Sequence, residues 1–270
     1  MNTLARYPER IVCLTEETTE TLYLLGEERR IVGISGYTVR PPQARREKPR
    51  VSAFLTAKTD KILQLKPDLV IGFSDLQADI ARELAKAGLN VMLFNQRSVE
   101  EILNMIQVLS SVVGVGDKGV QLVKRFEAGL AEIRESAKQF VKKPKVYFEE
   151  WDEPMISGIR WVSELVGIAG GEDVFSELSH SHAASGRVIA DPRAVVERRP
   201  DVILGSWCGK KFRPERVAAR PGWDAVPAVR DGELHEIKSA EILQPGPAAL
   251  TDGVRRIHAI LADWARRRSP

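Results

Sequence analysis

Short apolar runs alternate with segments of helical periodicity along the whole chain. The runs Ile11–Leu14 and Leu69–Ile71 are apolar at every position, which is typical of a strand that helices cover on both faces. Residues 78–87 instead have helical spacing, end at Gly88 and precede a further apolar run, Val91–Phe94. This alternation predicts an α/β fold with parallel sheets and strand-helix-strand crossovers.

The second half of the chain repeats the pattern of the first. Residues 61–72 read KILQLKPDLVIG, and residues 194–205 read AVVERRPDVILG. In each copy a short amphipathic helix stops before a proline, because proline disfavours helical geometry in the preceding residue, and an apolar strand then runs to a glycine. The copies are about half the chain apart, so we expect two Rossmann-like lobes rather than a solenoid of short repeats.

A different kind of segment separates the two copies. Ser98 to Glu101 form a capping-box signature that opens one helix, and Asp117 can cap a second helix that runs to about Lys143, ahead of Pro144. About 25 residues at ~1.5 Å each make a rod of ~37 Å. We expect this helix to join an N-terminal lobe, 1–97, through a linking segment, 98–143, to a C-terminal lobe, 144–270. The alternative is a long helix packed within one domain.

Composition and motifs narrow the class of protein. The chain has 40 Lys+Arg against 37 Asp+Glu, a formal charge of only +3, so we expect no nucleic-acid partner. No apolar run is long enough to span a bilayer. The sequence as written has no signal peptide, which predicts a cytoplasmic protein, or a periplasmic one if a leader is missing from this start. It contains no Walker loop and no Gly-x-Ser-x-Gly elbow, and no Gly-x-Gly-x-x-Gly follows the first strand, so we do not expect one of the common nucleotide enzymes of α/β sheets.

Two clusters nevertheless leave a catalytic or metal-dependent alternative open. An acidic run after the first strand of the second half could combine with a His-x-His pair as a metal site. The residues concerned are Glu149, Glu150, Asp152, His180 and His182. Cys208 lies beside Lys210, Lys211 and Arg213 in a Gly-bounded loop, where the basic residues could activate the thiol or contact an anionic ligand group.

Aromatic residues give the stronger indication. Several of the few aromatics fall just past a predicted strand: Tyr37, Phe54, Phe73, Trp151 and Trp207. Core aromatics usually lie within the periodic pattern, whereas rings at strand ends can stack on a large flat ligand at ~0.5–1.5 kcal/mol each. Packing in the core is the alternative for each of them.

Six short motifs follow one another along the chain in a characteristic order: Ile34–Tyr37, Arg50–Phe54, Leu65–Ile71, Pro154–Gly158, Gly170–Phe175 and Pro245–Pro247. In this order they resemble the cobalamin-binding type of ABC-transporter substrate-binding protein. This is a group of the helical-backbone metal receptor superfamily, which also binds haem and ferric siderophores. The resemblance implies the class III fold, in which two α/β lobes with parallel sheets are joined by a single long backbone helix and hold the ligand between them. It implies no catalytic residues and no covalently bound cofactor.

The resemblance also assigns roles to individual residues. Tyr37, Phe54, Phe73 and Met155 match positions that contact the corrin ring or its nucleotide tail, and Trp151 and Trp207 lie on neighbouring loops. Asp79 falls near the first of two acidic positions that dock on a permease, whereas Arg193 replaces the acidic residue expected at the second. We therefore expect a non-enzymatic protein that binds cobalamin, another corrinoid or a related metal chelate. The alternative is a cytosolic metal-dependent enzyme or ligand sensor on the same fold.

Overall fold

A computed structural model of the protein describes residues 7–268, which form two compact units. The first unit comprises the chain up to residue 96 together with residues 100–125, and the second comprises residues 97–99 and those from 126 onward. The predicted three-part division at residues 97/98 and 143/144 stays a prediction. Within residues 7–268, the helices are too short or too polar to cross a membrane.

The first unit contains a five-stranded parallel sheet with the order β3-β2-β1-β4-β5. Its strands are β1 (Ile11–Cys13), β2 (Ile31–Ser35), β3 (Arg50–Ser52), β4 (Leu69–Phe73) and β5 (Val91–Phe94). Its helices are α1 (Glu16–Leu24), α2 (Ala44–Glu47), α3 (Thr59–Gln64) and α4 (Ala78–Lys86), followed by α5 (Val99–Val112) and the start of α6 (Gly116–Ala137). The fully apolar strands predicted at the start of the chain are buried in this sheet.

Helices α3 and α4 pack their apolar positions against the sheet. Ile62 of α3 and Ile80 and Leu84 of α4 share one buried cluster with Val12 and Val70. Helix α4 ends at the predicted glycine stop, since Gly88 has a φ of +85° that a residue with a Cβ rarely adopts. The helix and strand predicted for residues 78–94 are therefore confirmed.

The second unit contains a sheet with the order β10-β9-β6-β7, in which β8 also pairs with β6. Its strands are β6 (Lys145–Asp152), β7 (Met155–Ser157), β8 (Glu172–Asp173), β9 (Val202–Gly205) and β10 (Leu234–Glu236). Its helices are α7 (Arg160–Ile168), α8 (Arg193–Arg198), α9 (Pro214–Ala218), α10 (Pro227–Arg230), α11 (Ser239–Ile242) and α12 (Val254–Arg266). The repeated helix-strand pair is present as α3–β4 and α8–β9, which confirms the α/β duplication.

The predicted end of the long helix is wrong by six residues. Helix α6 stops at Ala137 rather than near Lys143, and the backbone tightens there into i→i−3 hydrogen bonds as far as Phe140. The Phe140 ring stacks on His258, with ring centroids 5.5 Å apart, and lies close to Gly170. Phe140 therefore makes these contacts from a turn beyond the end of the helix.

The first strand of the second unit is longer than predicted. It continues to Asp152 because β7 returns antiparallel to it, pairing Trp151 with Ile156 and Asp152 with Met155. The prediction that Trp151 and the acidic run lie past this strand is therefore wrong. Phe73 likewise does not lie past its strand, because it is the last residue of β4.

Candidate functional site

The carboxyl edge of the first sheet carries an exposed apolar rim. Because the strands are parallel, the loops after β1, β2, β3 and β4 all leave the sheet at this edge, where open α/β sheets bind ligands. Tyr37 follows β2 and is 58% exposed, and Leu55 follows β3 and is 63% exposed. Val39 and Leu76 are exposed on the same set of loops. Single exposed apolar residues are common, but this group supplies a surface that an apolar ligand body can contact.

Carboxylates occupy the start of α1 at the same edge. Glu16, Glu17 and Glu20 are all buried, directly after the central strand β1. The Thr15 hydroxyl donates to Glu17 Oε1 at 2.5 Å, and Arg40 from the loop after β2 forms an ion pair with Glu20 at 3.0 Å. This ion pair connects the Tyr37 loop to the start of α1.

Burial changes the ionisation of these groups. Burial, together with the negative charges of Glu17 and Glu20, raises the pKa of Glu16 from 4.5 to about 8. Burial also raises the pKa of Glu17 to about 7, against the opposing hydrogen bond from Thr15. Near neutral pH these two carboxyl groups are therefore partly protonated, and each accepts hydrogen bonds when it is ionised.

A buried glutamine holds two of the loops at this edge. Gln77 donates to the carbonyl oxygen of Phe54 at 2.8 Å and accepts from the backbone N–H of Phe73 at 2.9 Å. Gly72 permits this approach, because a Cβ there would lie 2.6 Å from Gln77 Oε1. Gln77 thus fixes the Phe54 loop to the end of β4.

We expect Gln77→Leu to lower the free energy of unfolding by about 1–3 kcal/mol, because both hydrogen bonds of the buried amide are lost. Residues 53–57 should exchange their amide hydrogens faster, as measured by hydrogen-deuterium exchange. Gln64→Leu serves as the control, since Gln64 is exposed on α3. Unchanged exchange at 53–57 in the Gln77 variant would contradict this role.

In the second unit, a buried glutamate lies at the centre of a polar network. The side chain of Glu149 is completely buried and receives two hydrogen bonds from Arg220, at 2.5 and 2.9 Å. The Tyr147 hydroxyl donates to it at 2.9 Å and Trp207 Nε1 at 3.0 Å. Burial and the neighbouring Glu149 raise the pKa of Tyr147 well above its usual value, so the phenol keeps its proton. The network fixes the Trp207 ring at the end of β9.

A lysine covers the other tryptophan of this edge. Lys210 Nζ lies 4.0 Å from the centroid of the Trp151 ring and 5.1 Å from that of Trp207, and it forms an ion pair with Asp152. Arg216 is 3.8 Å from the same carboxylate. The arrangement can contact an anionic group, and a ligand that stacks on this face of Trp151 must displace the ammonium.

The structure places the predicted ligand-contacting residues in two different environments. Tyr37 is exposed, and Phe54 and Trp151 are partly buried. Phe73, Met155 and Trp207 are 5%, 7% and 3% exposed, and the last two belong to the core cluster of the second unit. Tyr37, Phe54 and Trp151 therefore present ring surface, whereas Phe73, Met155 and Trp207 are packed in the interior of their units. Their roles in binding stay predictions.

The two positions predicted to concern permease docking are on the surface of their respective units. Asp79 lies in the first turn of α4, 86% exposed, and forms an ion pair with Arg82. Arg193 begins α8, 84% exposed, and its backbone N–H donates to Asp191. Neither side chain has a role in the core.

The residues of the alternative metal site are engaged elsewhere. Glu149 pairs with Arg220, Glu150 with Arg187 at 2.6 Å, and Asp152 with Lys210. His180 and His182 are exposed, as is Cys208. Over residues 7–268, no group of three or more His, Cys, Asp or Glu side chains is arranged to hold a metal ion.

Four residues of these sites were not predicted from the sequence: Glu16, Glu17, Gln77 and Arg220. Nothing local marks Glu16 and Glu17, because acidic residues are common in the first turn of a helix whether or not the fold covers it. Arg220 had no signal either, because its partner Glu149 lies 71 positions away in the chain.

Comparison with known proteins shows one family over most of the chain. The family model described as periplasmic binding protein matches residues 11–241. The chain is 25% identical to an uncharacterised ABC transporter substrate-binding lipoprotein, YvrC, of Bacillus subtilis, over 94% of this chain and 80% of that protein. It is 26% identical to the vitamin B12-binding protein of Vibrio parahaemolyticus, over 92% and 88%.

Solved structures share the fold. The periplasmic haem-binding protein RhuT of Roseiflexus sp. RS-1 superposes with a TM-score of 0.78 at 23% identity, covering 94% of this chain and 99% of that one. The vitamin B12-binding protein BtuF of Vibrio cholerae gives a TM-score of 0.75 at 23% identity, covering 97% and 99%.

Proposed function

Because the chain belongs to the periplasmic binding protein family, we propose that it binds a flat metal chelate, with a corrinoid as the first candidate, and delivers it to an ABC permease. The family consists of substrate-binding proteins rather than enzymes, in agreement with the prediction from the sequence. Haem and ferric siderophores are the alternative ligands. The relatives are named as periplasmic proteins or lipoproteins, and we propose the same side of the membrane for this chain.

The observation that carries the proposal is the apolar rim at the carboxyl edge of the first sheet. Tyr37 and Leu55 are more than half exposed on loops that the sheet and Gln77 hold in place. A preformed apolar surface with a few polar groups is typical of small-molecule sites. The Trp151 edge of the second unit supplies a second aromatic surface, with Lys210 able to contact an anionic group.

The permease contact follows from the same proposal. Asp79 is exposed and available to an arginine of a permease, whereas Arg193 would meet such an arginine with like charge. We therefore propose a partner whose contact at the second position is acidic or neutral.

The purified protein should be stabilised by at least one member of a panel of cyanocobalamin, cobinamide, haem and ferric siderophores. A ligand at 100 times its dissociation constant should add about 2.7 kcal/mol to the free energy of unfolding. Melting temperature and the visible absorbance of the chelate, measured together, test this.

A matched pair of variants tests the surface. Tyr37→Ala should weaken the binding of the successful ligand about 3- to 10-fold, because it removes one stacking ring. Tyr7→Ala is the control, since Tyr7 is also exposed but precedes β1. Absence of stabilisation by the entire panel would refute the proposed function.

A further inference from the structure

Four buried polar atoms at the carboxyl edge of the first sheet have no hydrogen-bond partner among the described residues. They are Oε2 of Glu16, Oε2 of Glu17, Oγ1 of Thr38 and Oγ of Ser52. Thr38 is completely buried in the loop after β2, and Ser52 is the last residue of β3. Because an unpartnered buried polar atom costs free energy, their presence at one edge indicates a ligand group that completes these hydrogen bonds.

The charges around the two glutamates define what that group must be. Arg40 forms an ion pair with Glu20, and Arg45 on α2 is exposed. The positive charge of Arg45 lowers the pKa of Glu16, but by less than burial and the neighbouring carboxylates raise it. The positive charge of Lys48 slightly opposes the rise in the pKa of Cys13 that burial causes, and this thiol is buried next to the start of α1. Neither Glu16 nor Glu17 forms an ion pair within residues 7–268. Since an ionised carboxylate only accepts hydrogen bonds and repels anions, the complementary group is a donor without negative charge.

We propose that Glu16 and Glu17 bind N–H donors at the periphery of the ligand, and that this acidic site selects an amide-bearing chelate against a carboxylate-bearing one. The inference rests on the proposed function and specifies its ligand class. A corrinoid such as cyanocobalamin carries carboxamide side chains, whose N–H groups suit the site. Haem carries propionate carboxylates, which the site repels. The exposed rim with Tyr37 and Leu55 contacts the ring in either case.

Binding of such a ligand depends on pH in a defined direction. Protonated Glu16 and Glu17 are poorer acceptors, and both carry raised pKa values, about 8 and about 7. The other charged side chains that act on Glu16 are Glu20, Arg45 and Arg40. Cyanocobalamin itself neither gains nor loses a proton over this range. The affinity for cyanocobalamin therefore rises between pH 6 and pH 9.

Equilibrium dialysis with cyanocobalamin and with haem, followed by visible absorbance, tests the proposal. The double variant Glu16→Gln/Glu17→Gln should bind cyanocobalamin about 10- to 100-fold more weakly at pH 8.5, because charge-assisted hydrogen bonds are lost. It should also lose the pH dependence, and it should bind haem no more weakly than the unmodified chain. The control Glu83→Gln removes an exposed carboxylate of the same unit, on α4, and should change neither affinity.

A second variant keeps the test independent of the carboxylates. Thr38→Val replaces a buried, unpartnered hydroxyl with an isosteric apolar side chain, and it should weaken cyanocobalamin binding without lowering the melting temperature. Equal affinity of the unmodified chain and the double variant for cyanocobalamin would overturn the inference and leave the proposed function intact. Tighter binding of haem than of cyanocobalamin by the unmodified chain would do the same. If no chelate of the panel binds, the proposed function fails, and the inference fails with it.

Discussion

Arg220→Met should lower the free energy of unfolding by about 3–5 kcal/mol, because it leaves a buried charge without its partner. Glu149 is completely buried, and both of its oxygens receive hydrogen bonds from Arg220. The Tyr147 and Trp207 donors remain, but they do not neutralise the carboxylate. Urea unfolding followed by circular dichroism measures the change.

Two further variants separate the lost ion pair from a general effect of removing an arginine. Arg213→Met removes a guanidinium that is 54% exposed and lies 3.7 Å from Glu215, so it should change the free energy of unfolding by less than ~0.5 kcal/mol. The double variant Glu149→Gln/Arg220→Met should recover part of the loss, since it has no buried charge. A loss below ~1 kcal/mol in Arg220→Met would show that the network is not a major source of stability.

The free energy of unfolding should fall as the pH rises from about 5 to about 9. Glu16 and Glu17 have pKa values of about 8 and about 7 in the folded chain, against 4.5 for an ordinary glutamate. Between these values the folded chain holds protons that the unfolded chain releases, so raising the pH favours unfolding. Each unit of pKa difference corresponds to about 1.4 kcal/mol. The two groups together should therefore lower the free energy of unfolding by several kcal/mol between about pH 5 and about pH 9. Urea unfolding at a series of pH values measures the slope.

The double variant Glu16→Gln/Glu17→Gln should flatten this pH dependence and should be the more stable protein at pH 9. Glu83→Gln, in which an exposed carboxylate is lost, should keep the slope of the unmodified chain. A free energy of unfolding that is constant from pH 5 to pH 9 would mean that the two carboxylates are solvated in the folded protein.

The sequence predicted most of the elements in this fold. The repeated Pro-Asp motif located α3–β4 and α8–β9, and Gly88 marked the end of α4. The errors came where a packing or pairing partner changed the local outcome. Helix α6 ends early because Phe140 packs on His258, 118 positions later, and β6 continues to Asp152 because β7 pairs with it.

The candidate site was less predictable than the fold. Aromatic residues near strand ends were found, but position in sequence did not distinguish Tyr37, which is exposed, from Trp207, which is buried. Trp207 is held by Glu149, 58 positions away, and packs edge to face on Phe212. The acidic residues after β1 were not recognised at all, because nothing local shows that the start of α1 is covered.

The sequence by itself determined the α/β class and the duplication, because apolar periodicity, proline and glycine act on the backbone within a few residues of their own positions. The family was indicated by the resemblance of its ordered motifs, not by these local rules. Only the tertiary structure decided which side chains are exposed at the sheet edges, which carboxylates are buried and which arginines neutralise them. Burial and charge pairing depend on residues brought together by folding, as Glu149 and Arg220 are, and Coulomb interactions and desolvation act through space rather than along the chain.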